Sequence, residues 1–201
     1  MTGNWLDTDE REDVAASLRH CIASLGLTKH DPHAYKWVLL ALHSALQGSC
    51  VNHLLTTAHP VGATTENNTL EWLNYFELSR SDPASIRPHT RISELPELLK
   101  RLRKPNSAGD GSAGSEIFLT DAELQWWSGI HKDIRNQFVH FAPMGWSIEL
   151  SGMPGLIDLT VRLIREIDSK QWAFRHESCA WKQSLRATLD ELTSRASTLR
   201  Q

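Results

Sequence analysis

Hydrophobic residues recur at steps of three and four along most of this chain, which is the spacing typical of amphipathic α-helices. The pattern predicts an all-α protein, a bundle of about five to six helices within a single domain that spans residues 1–201. The windows predicted to be helical are residues 8–25, 33–58, 68–79, 93–102, 120–143, 154–167 and about 177–201.

Two stretches depart from this pattern. Residues 104–115 read KPNSAGDGSAGS, a composition without an apolar anchor, which predicts a flexible internal loop. Residues 146–150 read WSIEL and alternate between apolar and polar positions, which predicts one short extended segment or hairpin arm. A single arm of this length cannot form a sheet, so the predicted fold class remains all-α.

The helix with the clearest boundaries covers residues 120–143. Thr120 followed by Glu123 predicts a capping box at its start, and Pro143 cannot continue a helix. One side of this helix is apolar and is predicted to face the core. The residues on that side are Trp127, Ile130, His131, Ile134, Phe138 and Phe141, with Leu124 at the edge.

The other side of the same helix carries polar groups that can donate hydrogen bonds or transfer protons. Lys132, Asn136 and His140 recur there at four-residue steps, and Arg135 lies at the border between the two sides. Core packing explains the apolar side, whereas four such polar groups on one surface indicate a candidate site.

Arg135, Asn136 and His140, near the end of a helix in an all-α chain, resemble the R-x4–6-H motif of the HEPN superfamily of helical nucleotide-binding domains. The resemblance implies a bundle of about five helices, a homodimer and, in many members, a metal-independent endoribonuclease with the Arg and the His as its catalytic pair. It also implies a bacterial toxin or defence role, sometimes neutralised by a nucleotidyltransferase partner that serves as the antitoxin.

The residue types suit RNA cleavage through the ribose 2′-hydroxyl. The His140 imidazole can transfer protons near neutral pH, and the Arg135 guanidinium can bind two phosphoryl oxygens of a phosphorane. Asn136 would orient the phosphate or the imidazole, and Lys132 would bind the substrate. The alternative is structural: Arg135 pairs with an acidic residue, Asn136 is simply exposed, and His140 caps the helix C-terminus.

Helix geometry bears on the number of chains that such a site requires. Five residues along an α-helix rotate by about 140°, so Arg135 and His140 of one chain point to different sides. A two-fold homodimer in which the helices of residues 120–143 face each other would bring the Arg of one chain to the His of the other. The competing function is that of a non-catalytic helical module that binds RNA or scaffolds a protein partner.

Composition limits these possibilities. The formal net charge of −3 argues against RNA binding along an extended basic track, although it permits a small site for one phosphate. The run Lys100, Arg101, Leu102, Arg103 and Lys104 would guide RNA or form a solvated helix end. No apolar window is long enough to span a membrane and the acidic N-terminus is unlike a signal peptide, so the expected location is cytoplasmic.

The sequence predicts neither a cofactor nor a metal for the Arg and His site. Three widely spaced cysteines, Cys21, Cys50 and Cys179, indicate reduced thiols buried on helices rather than a disulfide framework. One metal alternative stays open, because Cys50 with His53 and His176 with Cys179 each form an i, i+3 pair that would supply a zinc site if the two helices met.

Overall fold

The computed structural model describes residues 5–57, 60–140, 145 and 147–200 of the chain. Its regular elements are helices, so the predicted all-α class is confirmed. They are α1 (Glu10–Leu27), α2 (Ala34–Leu54), a 3-10 turn (Pro60–Gly62), α3 (Glu66–Leu78), α4 (Leu95–Leu102), α5 (Asp121–Gly129), a π-helical segment (Ile130–Arg135), α6 (Asn136–His140), α7 (Met153–Ser169) and α8 (Cys179–Thr198).

Helix α2 occupies the centre of the bundle, where it contacts α1, α4 and α7. Its side chains Val38, Leu42 and Leu46 are fully buried, as the long apolar stripe in this window predicts. Helix α1 approaches closely at Gly48, because a β-carbon there would lie only 2.8 Å from Val14 Cγ2. The approach of α1 to α2 forms one wall of the cavity described below.

Helix α5, the π-helical segment and α6 follow one another without interruption, and we call residues 121–140 the central helix. The predicted capping box is present: Thr120 Oγ1 accepts from the Glu123 backbone N–H at 3.2 Å, and Glu123 Oε2 accepts from the Thr120 N–H at 2.9 Å. Trp127 is fully buried and Ile130 nearly so, which confirms the predicted core-facing side. Phe141, which was assigned to the same side, and the predicted helix end at Pro143 lie outside the described residues.

Residues 104–115 form a loop, but the sequence argument that they lack a buried anchor was wrong. Ala108 and Ser115 are buried, and the Ala108 N–H donates to Ser115 Oγ at 2.9 Å. The Gly109 N–H donates to the His53 carbonyl at 2.8 Å, which ties the loop to α2. Anchoring by backbone groups and small side chains leaves no apolar signature, and the flexibility of the exposed residues 110–114 stays a prediction.

The alternating segment at 146–150 forms no paired strand within the described residues. Trp146 lies outside them, and residues 147–150 are neither helical nor paired. Ile148 and Leu150 pack against the core, which explains the alternation without a β-partner. The single antiparallel bridge among the described residues joins Thr64 to Ile92.

Candidate functional site

The central helix changes its hydrogen-bond pattern just before the predicted site. Residues Ile130–Arg135 form a π-helical segment, and the Asn136 N–H donates to the His131 carbonyl five residues earlier. A π-helical turn is rare and is frequently found at functional sites. In this chain the π-helical segment contains the buried His131 and ends at Arg135, immediately before α6.

The structure brings two of the predicted catalytic residues into direct contact. Arg135 Nη1 donates to Asn136 Oδ1 at 2.9 Å, and both side chains are half-buried. The amide therefore holds the guanidinium toward the side of the helix on which Asn136 and His140 lie one turn apart. The acidic partner considered for Arg135 is not found within 4.0 Å among the described residues.

His140 and Lys132 are both exposed, at opposite ends of this polar side. Within the described part of the chain neither side chain hydrogen-bonds to Arg135 or Asn136. One chain therefore supplies a fixed Arg and Asn pair together with an exposed imidazole in the last turn of α6. The position of His140 also suits a helix C-terminus, where a positive charge is favoured.

Arg135 lines a cavity of about 410 Å³ between α1, α2 and the central helix. Ser44 Oγ donates to Asp13 Oδ2 at 3.0 Å on its wall. The wall combines aliphatic side chains with polar ones, and the polar residues are Glu10, Asp13, His43, Ser44, Gln47 and Arg135. The charged residues of this lining have both signs, with Arg135 positive and Glu10 and Asp13 negative.

A buried pair of histidines lies behind this cavity. His43 of α2 and His131 of the π-helical segment are each less than 5% exposed, and His43 Nε2 lies 2.9 Å from His131 Nδ1. Their rings are inclined by 23° with centroids 5.1 Å apart, so they meet edge to edge through these two nitrogens. The ring of Trp127 lies at 63° to that of His43, with centroids 6.3 Å apart. On the far side, Glu94 Oε2 lies 3.6 Å from His131 Nε2.

Burial keeps these imidazoles neutral. Desolvation, together with the nearby His131 and Arg135, lowers the pKa of His43 from an ordinary 6.5 to about 3. Desolvation also lowers the pKa of His131; Glu94 opposes this shift, whereas Arg135 and Lys132 reinforce it. The pair is therefore uncharged at neutral pH, and each ring has one nitrogen that donates and one that accepts.

The sequence reasoning missed His43 entirely. His43 falls within the apolar run of α2 beside Leu39, Leu42 and Leu46, where a histidine is easily taken for a core residue. A polar residue in the middle of a buried stripe was the available signal. Its partner His131 lies on the core side of the central helix, as the sequence predicts. The sequence does not predict that His131 contacts a residue of α2.

The alternative zinc site at Cys50, His53, His176 and Cys179 is not assembled among the described residues. His53 is buried with its Nε2 3.0 Å from Ser107 Oγ. Cys21 and Cys50 are buried as predicted, whereas Cys179 at the start of α8 is exposed, so the predicted burial was wrong there. Among the described residues no three His, Cys, Asp or Glu side chains converge as metal ligands. In the basic run, Arg101 donates to the Thr64 carbonyl at 2.7 Å, and Arg103 pairs with Asp121.

None of the described helices is long and apolar enough to cross a membrane. Comparisons of the chain with protein-family models, curated proteins and solved structures gave no match. Membership of the HEPN superfamily therefore stays a prediction that depends on Arg135, Asn136 and His140.

Proposed function

We propose that this protein is a HEPN-like, metal-independent endoribonuclease in which Arg135, Asn136 and His140 are catalytic and Lys132 binds the RNA. The observation that carries the proposal is the hydrogen bond from Arg135 Nη1 to Asn136 Oδ1 at 2.9 Å, one helical turn before the exposed His140. A guanidinium held by a neutral amide keeps its positive charge available for an anion, whereas one held by a carboxylate does not.

Each side chain of the site has a separate role in the proposed RNA cleavage. The 2′-hydroxyl of the ribose attacks the adjacent phosphate, and the Arg135 guanidinium binds the charged oxygens of the phosphorane. Asn136 holds the guanidinium in position through its carbonyl oxygen. The His140 imidazole transfers a proton, which typically contributes about 10²–10⁴ to the rate.

The working unit in this proposal is a homodimer. Arg135 and His140 are five residues apart, so their positions on α6 are separated by about 140° around the helix axis. Val139 is 46% exposed and Trp37 is 50% exposed. Lys36 lies over the rings of both Trp37 and Phe138, which places Trp37 beside α6. Exposed apolar side chains around a polar site are suited to contact a second copy of the chain.

RNA and a second copy of the chain are thus the proposed partners. A nucleotidyltransferase-type antitoxin is a further proposed partner, supported by the family resemblance alone. Production of the wild-type chain in a bacterial host tests the toxic role, since growth should be arrested by the wild type and restored by His140→Ala.

One observation favours the alternative of a non-catalytic module that binds RNA or scaffolds a protein. Glu10 and Asp13 line the same cavity as Arg135, and their negative charges weaken its attraction for a phosphate. That alternative predicts a stable complex with a partner and no RNA cleavage at any enzyme concentration.

Cleavage of end-labelled RNA in the presence of EDTA separates the two functions. The wild type should cleave, and Arg135→Ala and His140→Ala should each lose at least about 100-fold in rate with their melting temperatures within a few degrees of wild type. Arg19→Ala and His20→Ala, which change exposed residues of α1, are the matched controls and should cleave normally. Wild-type rates in the Arg135 or His140 variant would contradict the proposal.

Mixing the two inactive variants tests the dimer. Heterodimers of Arg135→Ala and His140→Ala restore one intact composite site, so part of the activity should return on mixing. A monomer in sedimentation that cleaves at the full rate would rule out a composite site.

A further inference from the structure

His43 stands at the inner wall of the cavity that Arg135 also lines. Its Nε2 is occupied by His131 at 2.9 Å, whereas its Nδ1 makes no hydrogen bond with the described residues. His43 is therefore the histidine of the pair that lines the cavity, and one of its ring nitrogens is not hydrogen-bonded to any described residue.

The carboxylate of Glu94 favours one arrangement of protons in this pair. Its Oε2 lies 3.6 Å from His131 Nε2, a distance too long for a hydrogen bond but short enough for a carboxylate to favour an N–H over a lone pair. With Nε2 protonated, neutral His131 has a lone pair on Nδ1. His43 must then donate from Nε2, so its Nδ1 carries a lone pair that is directed away from His131.

We propose that His43 is a catalytic base of this protein, with Nδ1 accepting the 2′-hydroxyl of a ribonucleotide whose phosphate is bound by Arg135. His131 and Glu94 are positioning residues: Glu94 favours the tautomer of the pair, and His131 accepts the proton that His43 passes on. The inference rests on the proposed ribonuclease function and adds to it a base that belongs to the same chain and the same cavity as Arg135.

The proton balance of the step is complete. The 2′-hydroxyl proton moves to His43 Nδ1 and the Nε2 proton of His43 moves to His131 Nδ1, so that His131 becomes an imidazolium 3.6 Å from the carboxylate of Glu94. The bond from the 2′-oxygen to phosphorus forms while the bond from phosphorus to the 5′-oxygen breaks, and His140 protonates that leaving oxygen. His43 is then the base and His140 the acid, so each of the two proton transfers has its own histidine.

Burial disfavours a lasting positive charge on His43, because desolvation lowers its pKa from an ordinary 6.5 to about 3. In the proposed step the positive charge therefore passes to His131, which faces the carboxylate of Glu94. The Glu94 side chain is 75% exposed. The charged groups around the relay are Arg135 and Lys132 on the central helix, Glu94 before α4, and Glu10 and Asp13 on α1.

Imidazole ¹⁵N NMR of the wild-type protein tests the tautomers without relying on activity. Both His43 and His131 should be neutral with Nε2 protonated and Nδ1 unprotonated at pH 7. Adenosine 3′-monophosphate should shift the His43 Nδ1 resonance toward the hydrogen-bonded value, whereas 2′-deoxyadenosine 3′-monophosphate should shift it much less. A protonated Nδ1 on His43, or equal shifts with both nucleotides, would overturn the proposal.

Cleavage kinetics supply the second measurement. His43→Gln should lower kcat by about 10²–10⁴-fold, and Glu94→Gln should lower it less, because Glu94 only positions the relay. His53→Gln is the matched control, since His53 is a buried histidine of the same helix that contacts Ser107 outside the cavity. A folded His43→Gln variant that cleaves at the wild-type rate refutes the role of His43 and leaves the Arg135 and His140 site standing. If instead the wild type cleaves no RNA, the proposed function and the catalytic role of His43 both fail, and a ribose-dependent shift of His43 Nδ1 would then reveal a nucleotide-binding site only.

Discussion

Acidification from pH 7 to pH 5 should destabilise this protein through its buried histidines. The pKa of His43 is lowered to about 3 and that of His53 to about 4, both by burial, from an ordinary value of 6.5. Below pH 6.5 the unfolded chain therefore binds protons that the folded chain does not accept, and the free energy of unfolding decreases as the pH falls. Above pH 6.5 this contribution to stability is fully present.

The size of the effect follows from the width of the window. Each depressed histidine loses about 1.4 kcal/mol of stability per pH unit between its unfolded and folded pKa, so each costs about 2 kcal/mol at pH 5. His43 and His53 together should lower the free energy of unfolding by about 4 kcal/mol, and His131 acts in the same direction. The pKa of the Glu123 carboxyl is lowered, so this group titrates below the range from pH 7 to pH 5.

Urea unfolding followed by circular dichroism at pH 7 and pH 5 measures this loss. With a slope of about 2 kcal/mol per molar urea, the wild-type midpoint should fall by about 2 M. His43→Gln and His53→Gln should each reduce the pH-dependent loss by about 2 kcal/mol, whatever their stability at pH 7. A wild-type midpoint that does not change between the two pH values, or variants that keep the full loss, would refute the burial of these imidazoles as neutral groups.

Three further predictions concern the loop and the substrate. Gly109→Ala should lower stability by about 1–3 kcal/mol in urea unfolding, because the new β-carbon would lie 1.7 Å from the Leu55 carbonyl oxygen, whereas Gly145→Ala, which meets nothing within 4 Å, should have little effect. Limited proteolysis should cut first at the exposed residues 110–114; cleavage within the anchored residues 107–109 would contradict the loop structure. Lys132→Ala should raise KM for RNA several-fold with little change in kcat, and a loss confined to kcat would show that Lys132 does not act through binding.

Local patterns in the sequence predicted the features that depend on neighbouring residues. The capping box at Thr120 and Glu123 requires only a three-residue spacing, and the burial of Trp127 and His131 follows from helical periodicity. The all-α class was predictable for the same reason, since most of the chain repeats that periodicity.

Long-range contacts account for what could not be predicted. The π-helical segment accommodates His131, whose partner His43 is 88 residues away in the sequence, and no local pattern specifies that pairing. The loop at 104–115 looked unanchored because its anchor is the His53 carbonyl of α2, to which Gly109 donates. In the predicted site, Arg135 contacts its neighbour Asn136, whereas no described contact joins Arg135 to His140, and their approach across two chains stays a prediction.

The chemical ends of the RNA products test the central claim most directly. RNA should be incubated with the wild-type protein in EDTA and the fragments examined by mass spectrometry. Attack by the 2′-hydroxyl, with Arg135 on the phosphate and histidines moving the protons, predicts fragments that end in a 2′,3′-cyclic phosphate and begin with a 5′-hydroxyl. Fragments with a 3′-hydroxyl and a 5′-phosphate, or RNA that stays intact, would contradict it.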